Sequence, residues 1–253
     1  MVKVRVKQVQ KFREAQNSPK DAIVHFENVS KKYGKSTVLN HINFSLHRGE
    51  LVGLIGPSGS GKTTLFKLLL EFIQPDEGMI LFKDSTFTHR SGFASQDYSF
   101  YPLLTVKENF EYFGTMAGLS RKMISSKLHE LLSLVGLSRA VLTAAGRLSG
   151  GMKRRLDLAL ALLADPDFLI VDEPTTGLDV ITKKQIWELI ADINRKGTTI
   201  LVSSHDLPEV QQYCSSILFI HNKEILSSSM LQEKINTLKT ANLEQLFRSL
   251  VNA

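Results

Sequence analysis

The 253-residue chain contains a single cysteine, Cys214, so it cannot form an internal disulfide, and a reducing compartment fits. It also has no apolar run close to the ~20 residues that a membrane-spanning helix needs. The longest helical apolar stretch, residues 156–164, is interrupted by Asp157, and the N-terminus lacks the apolar segment of a secretory signal. We therefore expect a chain that is soluble by itself and that reaches any membrane through a partner.

The net charge of +6 is concentrated in residues 1–20, whose only acidic residue is Glu14. The basic residues of this arm are Lys3, Arg5, Lys7, Lys11, Arg13 and Lys20. Such an arm could contact anionic lipid or nucleic acid. The alternation of Val2, Val4 and Val6 with basic residues instead favours a half-exposed edge strand or a solvated tail, and no nucleic-acid partner is expected.

The most informative segment is the glycine-rich pattern G-x-x-x-x-G-K-T. Its residues are Gly56, Pro57, Ser58, Gly59, Ser60, Gly61, Lys62 and Thr63. Glycines let backbone N–H groups turn towards phosphate oxygens, and a helix that starts near Gly61 directs its positive end at the same anion. Lys62 supplies a charge for the β- and γ-phosphates and Thr63 a hydroxyl for magnesium, so the pattern predicts a nucleoside-triphosphate site.

The flanking residues distinguish this prediction from a chance match or a glycine-rich structural turn. Residues 50–55 form a short apolar run that is typical of a buried parallel strand. Residues 64–72 carry apolar side chains at helical spacing, namely Leu65, Leu68, Leu69 and Phe72. A phosphate-binding loop needs such a strand before it and such a helix after it, so the context favours nucleotide binding.

Hydrophobic periodicity predicts an α/β core that is interrupted by a helical insert at about residues 97–147. Strands are predicted at 23–26, 38–46, 51–55, 79–82, 92–94, 168–171 and 199–202, with turns at 33–35, 48–49 and 75–78. Within the helical region, one predicted face consists of Phe110, Phe113, Met116 and Ala117. A second predicted face consists of Leu128, Leu131, Leu132 and Val135 and ends at Gly136.

Two further segments carry groups suited to phosphate chemistry. Asp172 and Glu173 follow the apolar run 168–171, at the strand end where parallel sheets bind ligands. Asp172 could hold magnesium and Glu173 could polarise an attacking water; alternatively, both residues simply end a strand. Residues 149–151 open a helix and form a second anion site without a lysine, for which an ordinary helix N-cap is the alternative.

With these motifs in this order, the chain resembles the nucleotide-binding subunit of an ATP-binding-cassette (ABC) transporter over residues 22–222. The resemblance implies that 56–64, which includes Thr64, is the Walker A segment, that Asp172 belongs to Walker B, and that Glu173 is the catalytic base. Residues 148–152 correspond to the signature segment. The remaining family positions fall on Tyr33 for adenine stacking, Gln96 for the Q-loop, Asp179 for the D-loop and His205 for the switch histidine.

Taken singly, Tyr33 could be a turn aromatic, Gln96 a surface residue and His205 a solvated side chain. The resemblance implies two cassettes packed head to tail, with each ATP between Walker A of one subunit and the signature segment of the other. The implied ATP clamp is Ser149, Gly150 and Gly151; the implied catalytic residues are Lys62, Gln96, Glu173 and His205; and the implied Mg²⁺ ligands are Thr63, Gln96 and Asp172.

The implied fold is a P-loop NTPase core of the ABC ATPase type, with an N-terminal antiparallel β subdomain and an inserted α-helical subdomain. The implied domains are a basic arm at 1–20, the ATPase domain at 21–228 with its signature helix at 148–163, and a C-terminal helical extension at 229–253. A membrane permease is the implied partner, which would hold the chain at the cytoplasmic face of the cell membrane.

Three residues that follow Gln96 closely, Phe100, Tyr101 and Pro102, are candidates for the groove that receives a permease helix. Alternatively, these three residues pack inside the insert.

Met152, where many family members have glutamine, makes the signature similar to that of ABC-2 exporters. The segment 242–247 also resembles that group. The last predicted helix has an apolar face of Leu243, Leu246, Phe247 and Leu250. The alternative within the family is a soluble ABC ATPase without a permease, of the assembly-scaffold or repair type.

Overall fold

The computed structural model describes residues 22–83, 87, 90–238 and 243–251; the basic arm predicted at residues 1–20, with its valine alternation, lies outside them. The strands are β1 (Ala22–Tyr33), β2 (Ser36–His47), β3 (Leu51–Ile55), β4 (Glu77–Phe82), β5 (Ser91–Ala94), β6 (Phe168–Val171), β7 (Thr199–Ser204), β8 (Ser216–His221) and β9 (Glu224–Ser227). The helices are α1 (Lys62–Leu69), α2 (Val106–Met116), α3 (Arg121–Leu134), α4 (Gly150–Ala161), α5 (Val180–Arg195), α6 (Leu207–Tyr213), α7 (Ser228–Leu238) and α8 (Leu243–Val251).

Strands β1, β2 and β4 form a three-stranded antiparallel sheet in the order β2-β1-β4. Its buried face includes the rings of Phe26 and Phe44, which stack with their centroids 4.4 Å apart. Residues 34–35 make the tight turn between β1 and β2, as predicted. Strand β4 begins at Glu77, inside the predicted turn 75–78, because its first residues pair with β1.

The second sheet has six strands in the order β5-β6-β7-β3-β8-β9. The neighbours from β5 to β8 run parallel, and β9 pairs antiparallel with β8. Strands β3 and β6 are buried along their whole length, which explains why their sequences are continuous apolar runs. The strands predicted at 51–55 and 168–171 are confirmed, and the strand predicted at 199–202 continues for two more residues.

The two faces of this sheet pack into two different apolar clusters. Leu169 and Val171 of β6 lie in the cluster that includes the insert helices α2 and α3 as well as α4 and α5. Phe168 and Ile170 lie in the cluster that joins α1 to the small sheet. Because side chains alternate along a strand, the parallel sheet is covered by helices on one face and by α1 and the antiparallel sheet on the other. This arrangement confirms the predicted α/β class.

The helical insert follows the predicted pattern in α3 and departs from it in α2. All four apolar residues predicted for the face of α3 are buried. In α2, Phe110 is buried and Phe113 is half-buried, but Met116 is 73% exposed and Ala117 is also exposed. Including Met116 and Ala117 in the apolar face was wrong, because Met116 is the last residue of the helix and Ala117 lies beyond it.

The helix that follows the glycine-rich loop is shorter than predicted. It ends at Leu69, and Glu71 adopts a left-handed conformation with a φ of 55°. This turn moves Phe72 off the helix, and its side chain is 70% exposed. Leu65, Leu68 and Leu69 are buried as predicted.

The last helix, α8, packs its apolar face against the parallel sheet. Leu246 is fully buried, and the ring of Phe247 lies 5.1 Å from that of Phe219 on β8. The amphipathic character predicted for this helix is thereby confirmed. Over the part of the chain that the structure describes, no helix combines the length and the apolar character required to cross a membrane.

Candidate nucleotide site

The parallel sheet brings the ends of four neighbouring strands to one edge. The glycine-rich loop follows β3, Asp172 and Glu173 follow β6, His205 follows β7, and Gln96 lies two residues after β5. These strands are adjacent in the order β5-β6-β7-β3 and run parallel, so their carboxyl ends meet. The candidate site is therefore assembled from segments that are far apart in sequence.

The glycine-rich loop has backbone geometry that its glycines make possible. Gly61, the N-cap of α1, has a φ of 112°, a conformation that residues with a Cβ rarely adopt. A Cβ on Gly56 would lie 2.6 Å from Ser60 Oγ and 2.7 Å from the Ile220 carbonyl oxygen. Ser60 Oγ is itself buried and has no hydrogen-bond partner among the described residues. The loop thus combines the N-terminus of a helix with a buried hydroxyl that can donate to an anion.

Lys62 lies inside this loop with its side chain only 9% exposed. Its ammonium group donates to the carbonyl oxygens of Gly56 at 2.7 Å and Pro57 at 3.2 Å. Glu173 Oε1 is 3.9 Å from the same nitrogen. Burial lowers the pKa of Lys62 below its usual value, against the opposing effects of Glu173 and Asp172. A polyanion in the loop would offset this desolvation, so the site favours a phosphate ligand.

Ser203 near the end of β7 contacts both acidic residues, the side chain of Asp172 and the backbone of Glu173. Its hydroxyl donates to Asp172 Oδ1 at 2.5 Å and accepts from the backbone N–H of Glu173 at 2.9 Å. Burial raises the pKa of Asp172, whereas the Ser203 hydrogen bond lowers it. Glu173 has a positive φ of 44°, a strained conformation for a residue with a side chain. The structure therefore holds Glu173 in one defined orientation at the strand end.

The side chain of Glu173 meets His205 from the neighbouring strand end. Glu173 Oε2 lies 3.4 Å from His205 Nδ1 and accepts a hydrogen bond from Thr176 Oγ1 at 3.0 Å. The His205 ring is largely exposed. An exposed imidazole next to a carboxylate can donate to a phosphate oxygen while the carboxylate orients water.

Gln96 reaches the same edge of the sheet with an exposed side chain, while its backbone oxygen accepts from Arg154 at 2.9 Å. Thr63 is exposed on the first turn of α1, whereas Thr64 is buried. Tyr33 lies at the turn of the small antiparallel sheet and is 47% exposed.

The glycines of residues 149–151 and Asp179 form a second group at the N-termini of α4 and α5. Ser149 caps α4, since its hydroxyl accepts from the Met152 N–H at 3.3 Å. Asp179 caps α5 by accepting from Thr182 N–H at 3.0 Å and from its hydroxyl at 2.6 Å. A Cβ on Gly151 would lie 2.5 Å from Thr182 Cγ2. In the described ranges, no hydrogen bond or ion pair joins this group to the glycine-rich loop.

A family profile described as ABC transporter matches residues 39–176, more than half of the chain. The chain belongs to the ABC transporter family. Nod factor export ATP-binding protein I of Burkholderia lata is 38% identical to this cassette over 206 residues, which cover 79% of this chain and 68% of that protein. The probable multidrug ABC transporter ATP-binding protein YbhF of Escherichia coli is 32% identical over 220 residues, which cover 84% of this chain and 38% of that protein.

Among solved structures, the dimeric structure of MJ0796, a bacterial ABC transporter cassette, has a TM-score of 0.70 with this chain. The identity is 28%, and the match covers 80% of this chain and 96% of that one. The predicted ABC ATPase fold is confirmed, and the chain is an ATP-binding cassette with ATPase activity. Its similarity to ATP-binding proteins named for export also confirms the exporter-like resemblance.

Several residues around the site were not predicted from the sequence. Ser203 could have been found, because it follows an apolar strand and precedes His205 by two residues. Arg154 and Asp157 of α4 are almost completely buried, and no local pattern distinguishes them from ordinary helix-surface charges. Phe100, predicted as a groove candidate, is buried in the core, which favours the alternative of packing inside the insert.

We expect Asp157 to make the stability of the cassette depend on pH. Burial raises the pKa of Asp157 from 3.8 to about 6, against the backbone N–H of Ser99 and the charge of Arg154, which lower it. Between pH 3.8 and about pH 6, Asp157 binds a proton in the folded state that it has lost in the unfolded state. Its contribution to the free energy of unfolding therefore falls as the pH rises through this range. We expect a loss of about 1.4 kcal/mol in the free energy of unfolding from about pH 5 to about pH 7.5.

Denaturant unfolding of the wild type and of Asp157→Asn at both pH values measures this contribution. The amide is uncharged at both, and its oxygen can still accept from the Ser99 N–H. The decrease in unfolding free energy with pH should therefore be smaller in Asp157→Asn by about 1.4 kcal/mol. Identical pH dependence in the two proteins would show that Asp157 does not titrate near neutrality.

Proposed function

We propose that this cassette hydrolyses ATP as a head-to-tail pair, in which each ATP is held between the loop around Lys62 of one subunit and Ser149–Gly151 of the other. One observation carries the proposal: the chain presents two anion-binding helix N-termini that do not meet within the described chain. The first has a lysine, whereas the second has only a serine hydroxyl and backbone N–H groups. In a head-to-tail pair, residues 149–151 of each copy would lie next to the ATP that the Lys62 loop of the other copy holds. The dimeric form of its relative MJ0796 supports this arrangement.

The residues at the strand ends fit ATP and magnesium. The buried Ser60 hydroxyl and the Lys62 ammonium can both donate to phosphate oxygens. Oxygen atoms of Thr63, Gln96 and Asp172 are ligands of the type that Mg²⁺ prefers. When bound, this ion neutralises charge on the transferring phosphate.

The proposed chemistry assigns a separate role to each side chain. Glu173 accepts a proton from the attacking water, and its positive φ and its hydrogen bond from Thr176 fix the direction of the carboxylate. His205 donates to the γ-phosphate, while Lys62 stabilises the charge on the β- and γ-oxygens. Tyr33, half exposed at the turn of the small sheet, stacks on adenine. Asp179, which caps α5 through Thr182, belongs to the residues that contact ATP from the D-loop at the interface.

The signature contact can be tested with two serines that have the same structural role. Ser149 caps α4 and Ser120 caps α3, and each accepts from the third helical N–H at 3.3 Å. Replacing either with alanine should cost ~1 kcal/mol of stability. Only Ser149→Ala should weaken ATP-dependent dimerisation, by about tenfold in the ATP concentration needed, because one hydrogen bond to a charged phosphate is lost.

The measurement is size determination of purified protein over a range of ATP–Mg concentrations, with each alanine placed in a Glu173→Gln background to prevent turnover. Thermal unfolding of each variant checks that the two caps are equivalent. Equal dimerisation of the Ser149 and Ser120 variants would exclude the signature contact. A protein that binds ATP but stays monomeric at all concentrations would require a different cassette as its partner.

We also propose that the cassette powers export through a separate membrane permease, which would keep it at the cytoplasmic face of the membrane. Its relatives are named as ATP-binding proteins of export systems. The helical insert exposes a patch of large side chains, Tyr101, Leu103, Tyr112 and Met116. The Tyr101 and Tyr112 rings pack edge to face with centroids 4.8 Å apart, which gives this patch a fixed shape. Such a patch suits an apolar helix from a partner.

A further inference from the structure

Arg154 joins the signature helix to the segment that carries Gln96. This residue of α4 is 4% exposed. Its guanidinium donates to two consecutive backbone oxygens, those of Ser95 at 2.6 Å and Gln96 at 2.9 Å. A planar guanidinium presents several N–H donors in a rigid fork and can therefore hold two acceptors at once. A lysine ammonium on its flexible stem fixes two acceptors less well. Gln96 is therefore fixed through its backbone, while its side chain remains exposed.

The same helix holds the other end of this segment one turn later. Asp157 Oδ1 accepts from the Ser99 N–H at 3.0 Å, and Asp157 Oδ2 lies 3.5 Å from the Arg154 guanidinium. Between the two attachments, the Tyr98 ring lies over the Arg154 guanidinium at 5.2 Å. The segment 95–99 is thus attached at both ends to two buried charged residues of α4.

Stability alone does not explain this pair. A buried arginine–aspartate pair pays a desolvation cost that its attraction roughly offsets, so apolar residues of similar size would serve folding as well. The pair instead fixes the position of the Gln96 backbone relative to α4. The N-terminus of α4 carries Ser149, and the Tyr98 hydroxyl also lies 3.4 Å from the Gly150 oxygen.

We infer that Arg154 is a positioning residue, which makes Gln96 at one ATP site and Ser149–Gly151 at the other move as one unit. The inference rests on the proposed function, in which these two groups belong to different ATP sites of a dimer. A movement of Gln96 towards the metal and phosphate of its own site would then displace the clamp on the partner's ATP. Arg154 would connect the two sites without touching either nucleotide.

A double-mutant cycle on the full-length chain tests the inference. The variants are Arg154→Gln, Gln96→Ala and their combination, and the readouts are kcat for ATP hydrolysis and the Mg²⁺ concentration that gives half-maximal rate. If Arg154 acts by placing the Gln96 side chain, each single change should lower kcat by about tenfold and the double variant no further than Gln96→Ala. Arg154→Gln should also raise the half-maximal Mg²⁺ concentration.

Arg155 offers a matched control on the same helix. It donates to the Val135 oxygen at 3.1 Å and to Gln185 Oε1 at 2.8 Å, so Arg155→Gln removes a comparable set of bonds without touching the Gln96 segment. In the double variant, the losses of kcat caused by Arg155→Gln and Gln96→Ala should multiply. Arg155→Gln should also leave the half-maximal Mg²⁺ concentration unchanged. Arg154→Lys provides a second variant if Arg154→Gln does not fold, because it keeps the charge beside Asp157.

The outcomes separate the inference from the proposed function. Multiplicative effects of the Arg154 and Gln96 changes, about a hundredfold together, would overturn the positioning role while leaving the ATP site intact. Wild-type kcat in Gln96→Ala would overturn both the inference and the assignment of Gln96. Failure of the Glu173→Gln protein to dimerise with ATP would contradict the proposed dimer, whatever the result of the cycle.

Discussion

We expect glutamine in place of Glu173 to leave ATP bound and to slow its hydrolysis by about 10²–10⁴-fold, the range for removal of a general base. The amide has nearly the shape of the carboxylate, and its oxygen can still accept from Thr176, which donates to Glu173 at 3.0 Å. The backbone stays fixed as well, because the Ser203 hydroxyl accepts from the N–H of residue 173 at 2.9 Å. What the substitution removes is the ability to take a proton from water.

Steady-state and single-turnover hydrolysis, together with size determination in ATP–Mg, measure this effect. We expect normal nucleotide affinity, very slow turnover and accumulation of the dimer, since ATP then persists between the two subunits. Glu188→Gln is a suitable control, because this carboxylate is exposed and pairs only with Lys184 at 3.8 Å among the described residues. Normal turnover by the Glu173→Gln protein would rule out Glu173 as the base.

Alanine in place of Lys62 should weaken ATP binding by about a hundredfold, or ~3 kcal/mol, because charge-assisted hydrogen bonds to phosphate are lost. Lys62 also bonds to the Gly56 and Pro57 oxygens, so the loop loses a contact that holds its curvature. Turnover falls further, since the ammonium can no longer stabilise charge that develops on the phosphates.

Titration with ATP at fixed Mg²⁺ gives the change in affinity, and Lys67→Ala is the matched control. Lys67 lies in the last turn of the same helix and is exposed, so its removal changes the charge but not the loop. Thermal unfolding should show that Lys62→Ala remains folded. Burial lowers the pKa of Lys62, against the charges of Glu173 and Asp172, which raise it. Unchanged affinity in Lys62→Ala would mean that ATP binds elsewhere.

Some of these residues could be predicted from the sequence, whereas others became apparent only in the folded structure. Lys62 was predicted from the glycine-rich pattern at residues 56–63, and Glu173 because it follows a buried apolar strand, where parallel sheets bind ligands. Phe72 and Met116 were misplaced because helical spacing alone does not show where a helix ends. Glu71, with its left-handed backbone, ends the first of these patterns early.

The sequence by itself determined the strand–loop–helix around Lys62, the acidic pair after β6 and the family of the chain. Such segments carry their geometry locally, through glycines, apolar runs and a helix start that lie next to each other. Only the tertiary structure decided that Ser203 would orient Glu173 and that Arg154 would hold the Gln96 backbone. Those contacts join residues 30 and 58 positions apart, and their formation depends on how the strands and α4 pack together, which no short stretch of sequence specifies.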